Sequence, residues 1–396
     1  EAYWRYTVCR ARRGMEGLRH RIDRIDQQII TLLNQRFELC SLIGREKQAK
    51  DRTGPVFVPS REHSVFEKAA KFNSECNGVL TGQAVRSIFR EIMSFSISLQ
   101  RSMTVGYIGE PGSLNHMATR TKFGSSIPSH NGFGTVADVC SAIQRKEVEY
   151  AVVSVSDEDQ LIDLAQNLTC SETYIYANIL MTPVFDVCAI SDHLDRDRIS
   201  AVFVTPETCF YCRSWLADNL TNVQRISVPD ISSGFSQICQ LENAAIICTP
   251  LSSCIFDAHP IIRSVQDLKS VEEFFIIGNE HGPKMGSDET FLLCSSCNRH
   301  GTDTFTETAN MCSVEISKLS SERGANFIAK VIGHVDDEKS NVKQLVKELR
   351  DNGFDIRVCG STSKRTLPSE FTIDTGCGYT RCELAVSNVS QATKLQ

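Results

Sequence analysis

Arg19, Arg36 and Lys47 lie along one apolar-striped run and are the residues of this chain best spaced for chemistry. The run is Leu18–Lys50, where Leu18, Ile22, Ile25, Ile29, Leu32, Leu33, Leu39 and Ile43 recur at helical spacing. At a helical pitch of about 100° per residue, Arg36 and Lys47 share a face, roughly 16 Å apart along the axis. Two long cationic side chains at that separation can close on one small dianion from both ends. Arg19 lies roughly 25 Å further back, too far to serve the same site within one straight helix. An antiparallel copy from a second chain could deliver it, so the pattern predicts a homodimer with composite anion sites.

Two more helices must position the remaining polar groups. After Pro55 and Pro59, Ser60–Lys71 restarts a helical pattern with Arg61 and Glu62 in its first turn. Thr81 is an N-cap candidate for a third helix running to Gln100, with Val85, Ile88, Phe89, Ile92, Met93 and Ile97 as its apolar face. Ser96 and Gln100 sit four apart and share one side of it. From Ser102 the texture becomes α/β. Strands are predicted at Thr104–Ile108, Glu149–Val155, Ala201–Val204, Ala244–Cys248 and Glu273–Ile277, with helices such as Val136–Arg145 and Cys209–Asn219 between them. That alternation predicts a largely parallel sheet in two lobes. A last region reads as strand Thr290–Ser295, helix Met311–Glu322, strand Phe327–Val335, helix Val342–Asp351 and strand Phe354–Cys359, followed by a polar tail.

Composition narrows the classes. A chain of 396 residues predicts two to three domains. A net charge of −6 argues against a nucleic-acid partner, which needs clustered surplus cations. No membrane span and no secretory signal are expected, so the predicted location is cytoplasmic. Residues 1–14 read as an upstream extension ahead of Met15. The 17 cysteines read as scattered buried thiols. Cys209-x-x-Cys212 and Cys294-x-x-Cys297, the latter near His300, lack the second pair that a structural metal site requires.

The first hundred residues resemble the all-helical chorismate mutase family, whose pattern LRxxIDxID…LLxxR…GxxK…RE…FxxIMxxSxxxQ is met nearly throughout residues 15–102. The resemblance implies that Arg19, from the partner chain, and Arg36 bind the two substrate carboxylates. Lys47 and Gln100 would donate to the ether oxygen whose bond breaks. Glu62 would contact the ring hydroxyl, Ser96 a carboxylate, and Arg61 would supply supporting charge. Where the family has an acidic residue before Pro-x-Arg-Glu, this chain has Val58. Rearranging chorismate to prephenate needs no nucleophile and no obligatory proton transfer. Clamping a compact conformer and stabilising charge on the ether oxygen suffice, so no metal or organic cofactor is expected.

Residues 103–280 resemble the prephenate dehydratase domain fused behind such mutases in the bifunctional P-proteins of phenylalanine biosynthesis. The match is carried by Gly106–Ala118 (GYIGEPGSLNHMA), with Ser113 and His116 in its glycine loop, and by Phe274–Gly278 (FFIIG). Two signatures depart. The family's V-V-P-I-E-N-S run falls on Val152–Glu158 (VVSVSDE), and its T-R-F motif, whose Thr is the proposed acid, falls on Glu272-Glu273-Phe274. Two carboxylates against a dianionic substrate cost roughly 4 kcal/mol per pair at an effective dielectric of 20, so dehydration is expected to be crippled. Residues 281–364 resemble a worn ACT regulatory domain, with Gly333–Asp337 and Val358–Ser361 surviving, the ligand loop near Met311–Ser313 and one strand lost. Phenylalanine is the effector this resemblance implies.

The expected fold class is therefore multidomain: an all-α helical chorismate mutase domain, a two-lobed α/β dehydratase-like domain and a small α+β ACT-like domain, with residues 365–396 as a tail. The expected substrates are chorismate and prephenate. The rival reading is a mutase regulated by a non-catalytic ligand-sensing or assembly module derived from the later regions.

Overall fold

The structure is a computed structural model that describes residues 2–50, 57–128, 132–267, 271–296, 301–320 and 326–363, with backbone alone for 2–14. Pro55, Cys297, His300 and the polar tail therefore lie outside the described residues. The chain divides into two compact units. One comprises Glu1–Val58, Val65–Met103 and Ser125–Ile127, and the other comprises Pro59–Ser64, Thr104–Gly124 and Pro128–Gln396.

The first unit is helical. Helix α1 (Ala2–Lys50) extends upstream of Met15, past the expected start at Leu18; α2 (Pro59–Glu75), whose residues Pro59–Ser64 belong to the second unit, and α3 (Gly82–Gln100) follow. Pro59 opens α2, where its missing N–H costs nothing. Thr81 caps α3, its hydroxyl accepting from the Ala84 N–H at 3.1 Å. Helices α1 and α3 meet at Gly44, where a Cβ would lie 2.9 Å from the Gln100 Cα. Only a residue without a side chain lets the two backbones come that close. One turn and a half away, Phe37 and Phe95 pack edge to face at 4.7 Å. On α1, Leu18, Ile22, Ile25, Ile29, Leu32, Leu39 and Ile43 stay exposed in the single chain.

The second unit runs β1 (Val105–Tyr107), α4 (Leu114–Phe123), α5 (Val136–Gln144), β2 (Tyr150–Ser154), α6 (Glu158–Ser171), β3 (Tyr174–Met181), β4 (Asp186–Ala189), β5 (Ala201–Val204), α7 (Pro206–Tyr211), α8 (Arg213–Asn219), β6 (Gln224–Ser227), α9 (Ile231–Ile238), β7 (Ala244–Cys248), α10 (Pro250–Ile255), β8 (His259–Ile262) and β9 (Glu272–Gly278). It continues through β10 (Asp288–Ser295), α11 (Gly301–Met311), β11 (Ile316–Leu319), β12 (Asn326–Ile332), α12 (Val342–Asp351) and β13 (Asp355–Ser363). The strands form two sheets, β1-β2-β9-β3-β13-β10-β12-β11 and β6-β5-β7-β4-β8.

The expected largely parallel sheet is corrected. Parallel pairing is confined to β1/β2, β3/β13, β5/β6 and β5/β7, while the other strand pairs are antiparallel. The reason is the path of the chain. It leaves the first lobe after β3, builds the second lobe, and returns as β9, which inserts between β2 and β3 against both. A strand that returns from another lobe has no crossover helix to impose parallel direction.

The terminal region is corrected as well. The order β10-α11-β11-β12-α12-β13 is a complete βαββαβ unit, so no strand is lost. The helix expected at Met311–Glu322 is in fact α11, ending at Met311, followed by strand β11. Ser313 turns the chain between them with φ of 56°. Helix α11 (GTDTFTETANM) is poor in helix-forming residues, and burial of Phe305, Thr308 and Ala309 on one face holds it. Separate apolar clusters fill the three layers: Val139, Leu164 and Phe275 under α5 and α6, Phe203 and Ile246 in the second lobe, Phe305 and Leu345 in the terminal unit.

Strand β13 joins the terminal sheet to the first lobe by pairing Gly360 with Ile175 of β3. Gly360 has φ of 145°, and a Cβ there would lie 2.1 Å from the Ile175 carbonyl oxygen. Gly360→Ala is therefore expected to cost about 2 kcal/mol or more in thermal unfolding, from backbone strain plus the clash. Gly353→Ala, at φ of 86° with open space around it, should cost about 1 kcal/mol, and equal losses for the two would disprove the seam argument.

Candidate functional site

In the helical unit the cation, hydroxyl and amide expected from sequence form one row. The Arg36 guanidinium donates to the Ser96 hydroxyl and, at 3.5 Å, to the Ile92 carbonyl oxygen. Ser96 is buried in α3, and one turn on, Gln100 Nε2 donates to the Ser96 carbonyl oxygen at 3.3 Å. The Gln100 amide oxygen is buried with no partner among the described residues. Gln48 Nε2 donates to the Gln100 carbonyl oxygen at 2.8 Å and holds the end of α3 onto α1. Lys47 is exposed, three residues past the contact at Gly44. Arg19 and Arg61 are also exposed. Glu62 departs from expectation: it is buried, and within the second unit its carboxylate is held by Lys122. A carboxylate already paired with an ammonium is a poorer acceptor for a substrate hydroxyl.

In the second unit the glycine loop joins the two lobes. Gly112, with φ of 91°, offers its carbonyl oxygen to the Thr249 hydroxyl at 2.6 Å and the Ser252 hydroxyl at 2.9 Å, both at the start of α10. A Cβ on Gly112 would sit 2.3 Å from the Ser252 hydroxyl, so only glycine fits. Glu110 accepts from the Ser232 N–H at 3.3 Å and hydroxyl at 2.9 Å in the first turn of α9. The helix dipole favours a carboxylate there. Ser113 caps α4 by accepting from the His116 N–H at 3.3 Å. His116 Nδ1 accepts from the Gly112 N–H at 3.0 Å, and its ring stacks on Tyr107 at 4.4 Å. Burial, aided by the Arg120 charge, lowers the His116 pKa to about 4. It is thus a neutral brace for the loop. Asn115 Nδ2 donates to the Ser154 hydroxyl at 3.2 Å, where the family pattern has proline.

The paired glutamates diverge. Glu272 accepts a hydrogen bond from Tyr211 of the second lobe, whose pKa is raised by burial first and by the Glu272 charge and hydrogen bond second. Glu273 points the other way, accepting from Asn178 Nδ2 at 2.9 Å and pairing with Lys330 at 3.1 Å. Phe274, buried at 1% exposure, anchors the strand. The two carboxylates are thus engaged by different partners, Glu272 by Tyr211 and Glu273 by Asn178 and Lys330. Sequence reasoning missed Thr249, Ser252, Tyr211, Asn178 and Lys330. The Thr-Pro start of α10 and the lone cation inside FIAKVI were the available signals.

A helical unit with a cationic and amide row, followed in the chain by a two-lobed α/β unit joined at a glycine loop, defines an enzyme of the mutase–dehydratase type. The type II chorismate mutase model matches residues 18–101 and the prephenate dehydratase model matches residues 105–282. A bifunctional chorismate mutase/prephenate dehydratase of Aquifex aeolicus is 28% identical over 368 residues, covering 89% of this chain and 99% of the relative. The prephenate dehydratase of Staphylococcus aureus has the fold of 66% of this chain, with TM-score 0.55 at 15% identity and all of that chain covered. A prephenate dehydratase of Arthrobacter aurescens, solved in complex with L-Phe, has TM-score 0.56 at 17% identity, covering 66% of this chain and 90% of its own. The chain belongs to the bifunctional chorismate mutase/prephenate dehydratases.

The neutral His116 has a measurable consequence. The unfolded chain protonates this imidazole at its ordinary pKa of 6.5, but the folded chain only at about 4. Below pH 6.5 the unfolded state therefore binds the extra proton, and stability falls as pH drops through that window. This one group should remove up to about 3 kcal/mol by pH 4. Denaturant unfolding of the second unit at stepped pH should show that loss, and His116→Gln should flatten it. An unchanged pH dependence in the variant would refute the assignment.

Proposed function

We propose that the helical unit converts chorismate to prephenate by pericyclic rearrangement and that the second unit slowly converts prephenate to phenylpyruvate, the ring carboxylate leaving as carbon dioxide as the ring hydroxyl leaves as water. The observation that carries the first half is the row Arg36–Ser96–Gln100, which sets a guanidinium, a hydroxyl and the Gln100 amide N–H donors along one side of α3. A reaction that moves no proton asks for grip and field. Arg36 holds a carboxylate, assisted by Ser96, while Lys47 and Gln100 stabilise the charge that grows on the ether oxygen. The exposed apolar stripe of α1 supports a homodimer in which the partner's copy of Arg19 supplies the second carboxylate clamp. Glu62 has no part in this site while Lys122 holds it. The exposed Arg61 has no observed partner role here beyond supporting charge. A cytoplasmic location accompanies this reading; among the described residues no helix is long and apolar enough to cross a membrane.

For the second half, Glu272 stands in the place of the family's threonine and accepts the Tyr211 hydrogen bond. One anion against a dianionic substrate slows binding and protonation of the leaving hydroxide. Neutralisation of Glu273 by Lys330 removes the second penalty that the sequence implied. The rival reading, a ligand-sensing module attached to the mutase, is favoured by the complete βαββαβ order of the terminal unit, which we read as ACT-like with phenylalanine as its candidate effector.

Purified chain should consume chorismate, and Lys47→Ala or Gln100→Ala should lower that rate by roughly a hundredfold or more without loss of helicity. Turnover unaffected by either change would eliminate the proposed site. Given prephenate, the chain should form phenylpyruvate, faster in Glu272→Thr than in the parent. No phenylpyruvate from either, together with heat on titration with phenylalanine and a changed mutase rate, would select the sensor reading.

A further inference from the structure

We propose that Lys330 is a positioning residue for the dehydratase cleft, acting through Glu273 on strand β9. This rests on the reading that the cleft turns prephenate over. Lys330 is the one charged residue of β12, a strand of the terminal βαββαβ unit, and its side chain is 14% exposed. Its ammonium lies 4.6 Å from the Phe291 ring centroid and 5.7 Å from that of Phe275. Two ring faces therefore fix it in place while shielding it from water.

The charge so fixed meets Glu273, at 3.1 Å, and Asn178 Nδ2 holds the other carboxylate oxygen at 2.9 Å. Asn178 and Glu273 both belong to the first dehydratase lobe, on adjacent strands β3 and β9. The terminal unit thus reaches into the lobe and grips the strand that carries the cleft residue. Side chains alternate along a strand, so the neighbour of Glu273 faces the opposite way, and Glu272 accepts from Tyr211 of the second lobe. A strand is stiff over two residues. Where Glu273 is held decides where the Glu272 carboxylate stands.

Without the ammonium, the Glu273 carboxylate, with 30% of its side chain exposed, would turn toward water and carry the first residues of β9 with it. The pair is more than an anchor for the terminal unit, and kinetics can tell the two roles apart. Loss of an anchor lowers stability with kcat intact. Loss of a positioning contact lowers kcat while the substrate still binds.

The test uses the full chain and prephenate. In Lys330→Met, kcat for phenylpyruvate should fall roughly ten- to a hundredfold, as small misplacements do. KM should move by less than about threefold, and Lys330→Arg should restore kcat to within about threefold of the parent. The double variant Lys330→Met/Glu273→Gln should be no slower than the single, since both changes break one coupling. Chorismate turnover should stay at the parental rate. If Lys330→Met does not fold, Glu273→Gln carries the same expectation. If the parent itself makes no phenylpyruvate, the dehydratase reading fails separately. Hydrogen exchange of the 272–278 amides then decides, being faster in Lys330→Met and parental in Lys330→Arg. An active parent with unchanged kcat in Lys330→Met, or an inactive one with unchanged exchange in β9, would overturn the proposal.

Discussion

The two-residue period of strand β9 is the constraint on which the dehydratase half of this protein turns. It sends Glu272 and Glu273 to opposite faces, where each is taken by a different part of the chain: Tyr211 of the second lobe on one side, Lys330 of the terminal unit on the other. Strand β9 is also the return leg of the chain from the second lobe, wedged antiparallel between β2 and β3. Two lobes and a terminal domain therefore converge on one strand of seven residues. Like charges placed in succession along a strand need not repel one another across a site, because the backbone separates them and each is engaged by a different partner.

The helical unit depends on close approach. At Gly44, α1 and α3 come within the distance that any side chain would forbid, and this puts the amide of Gln100 against the face that carries Arg36 and Lys47. Polar groups inside a small bundle cost stability unless they are hydrogen-bonded. The row from Arg36 through Ser96 to the backbone of α3 supplies those bonds while leaving one amide oxygen unmet.

Much of this was legible in the residues. The bounds of β5, β7 and α12 follow directly from their apolar runs and periodicity, and Thr81 announced its helix as an N-cap. The row on α1 and α3 was readable because helical spacing is a local property. What escaped was non-local. Ile316 and Leu319 stand three apart, a spacing that suits a helix, yet pairing with β12 makes them a strand. The threonine-rich α11 has no propensity to announce it and is held by tertiary burial. Strand direction in the two sheets depended on a path through another lobe. The partners of Glu62 and Glu273 lie 60 and 57 residues away along the chain, which no spacing rule reaches.

The departures from the family pattern at 272 and 273 are physically unlike each other. A glutamate in place of the family's arginine at 273 would be a buried liability if it stood alone. Paired with an ammonium seated on two aromatic rings and bonded to an amide, it is a neutral, oriented assembly. A worn-out site would not be expected to keep that arrangement, because an unpaired charge at this depth is eliminated more cheaply by an apolar residue than by a matching cation. Glu272 is different. Its hydrogen bond comes from a phenol of the second lobe, a neutral partner in place of a cation. The change at 273 is therefore compensated within the fold by a cation, whereas the residue at 272 ties β9 to the second lobe through Tyr211.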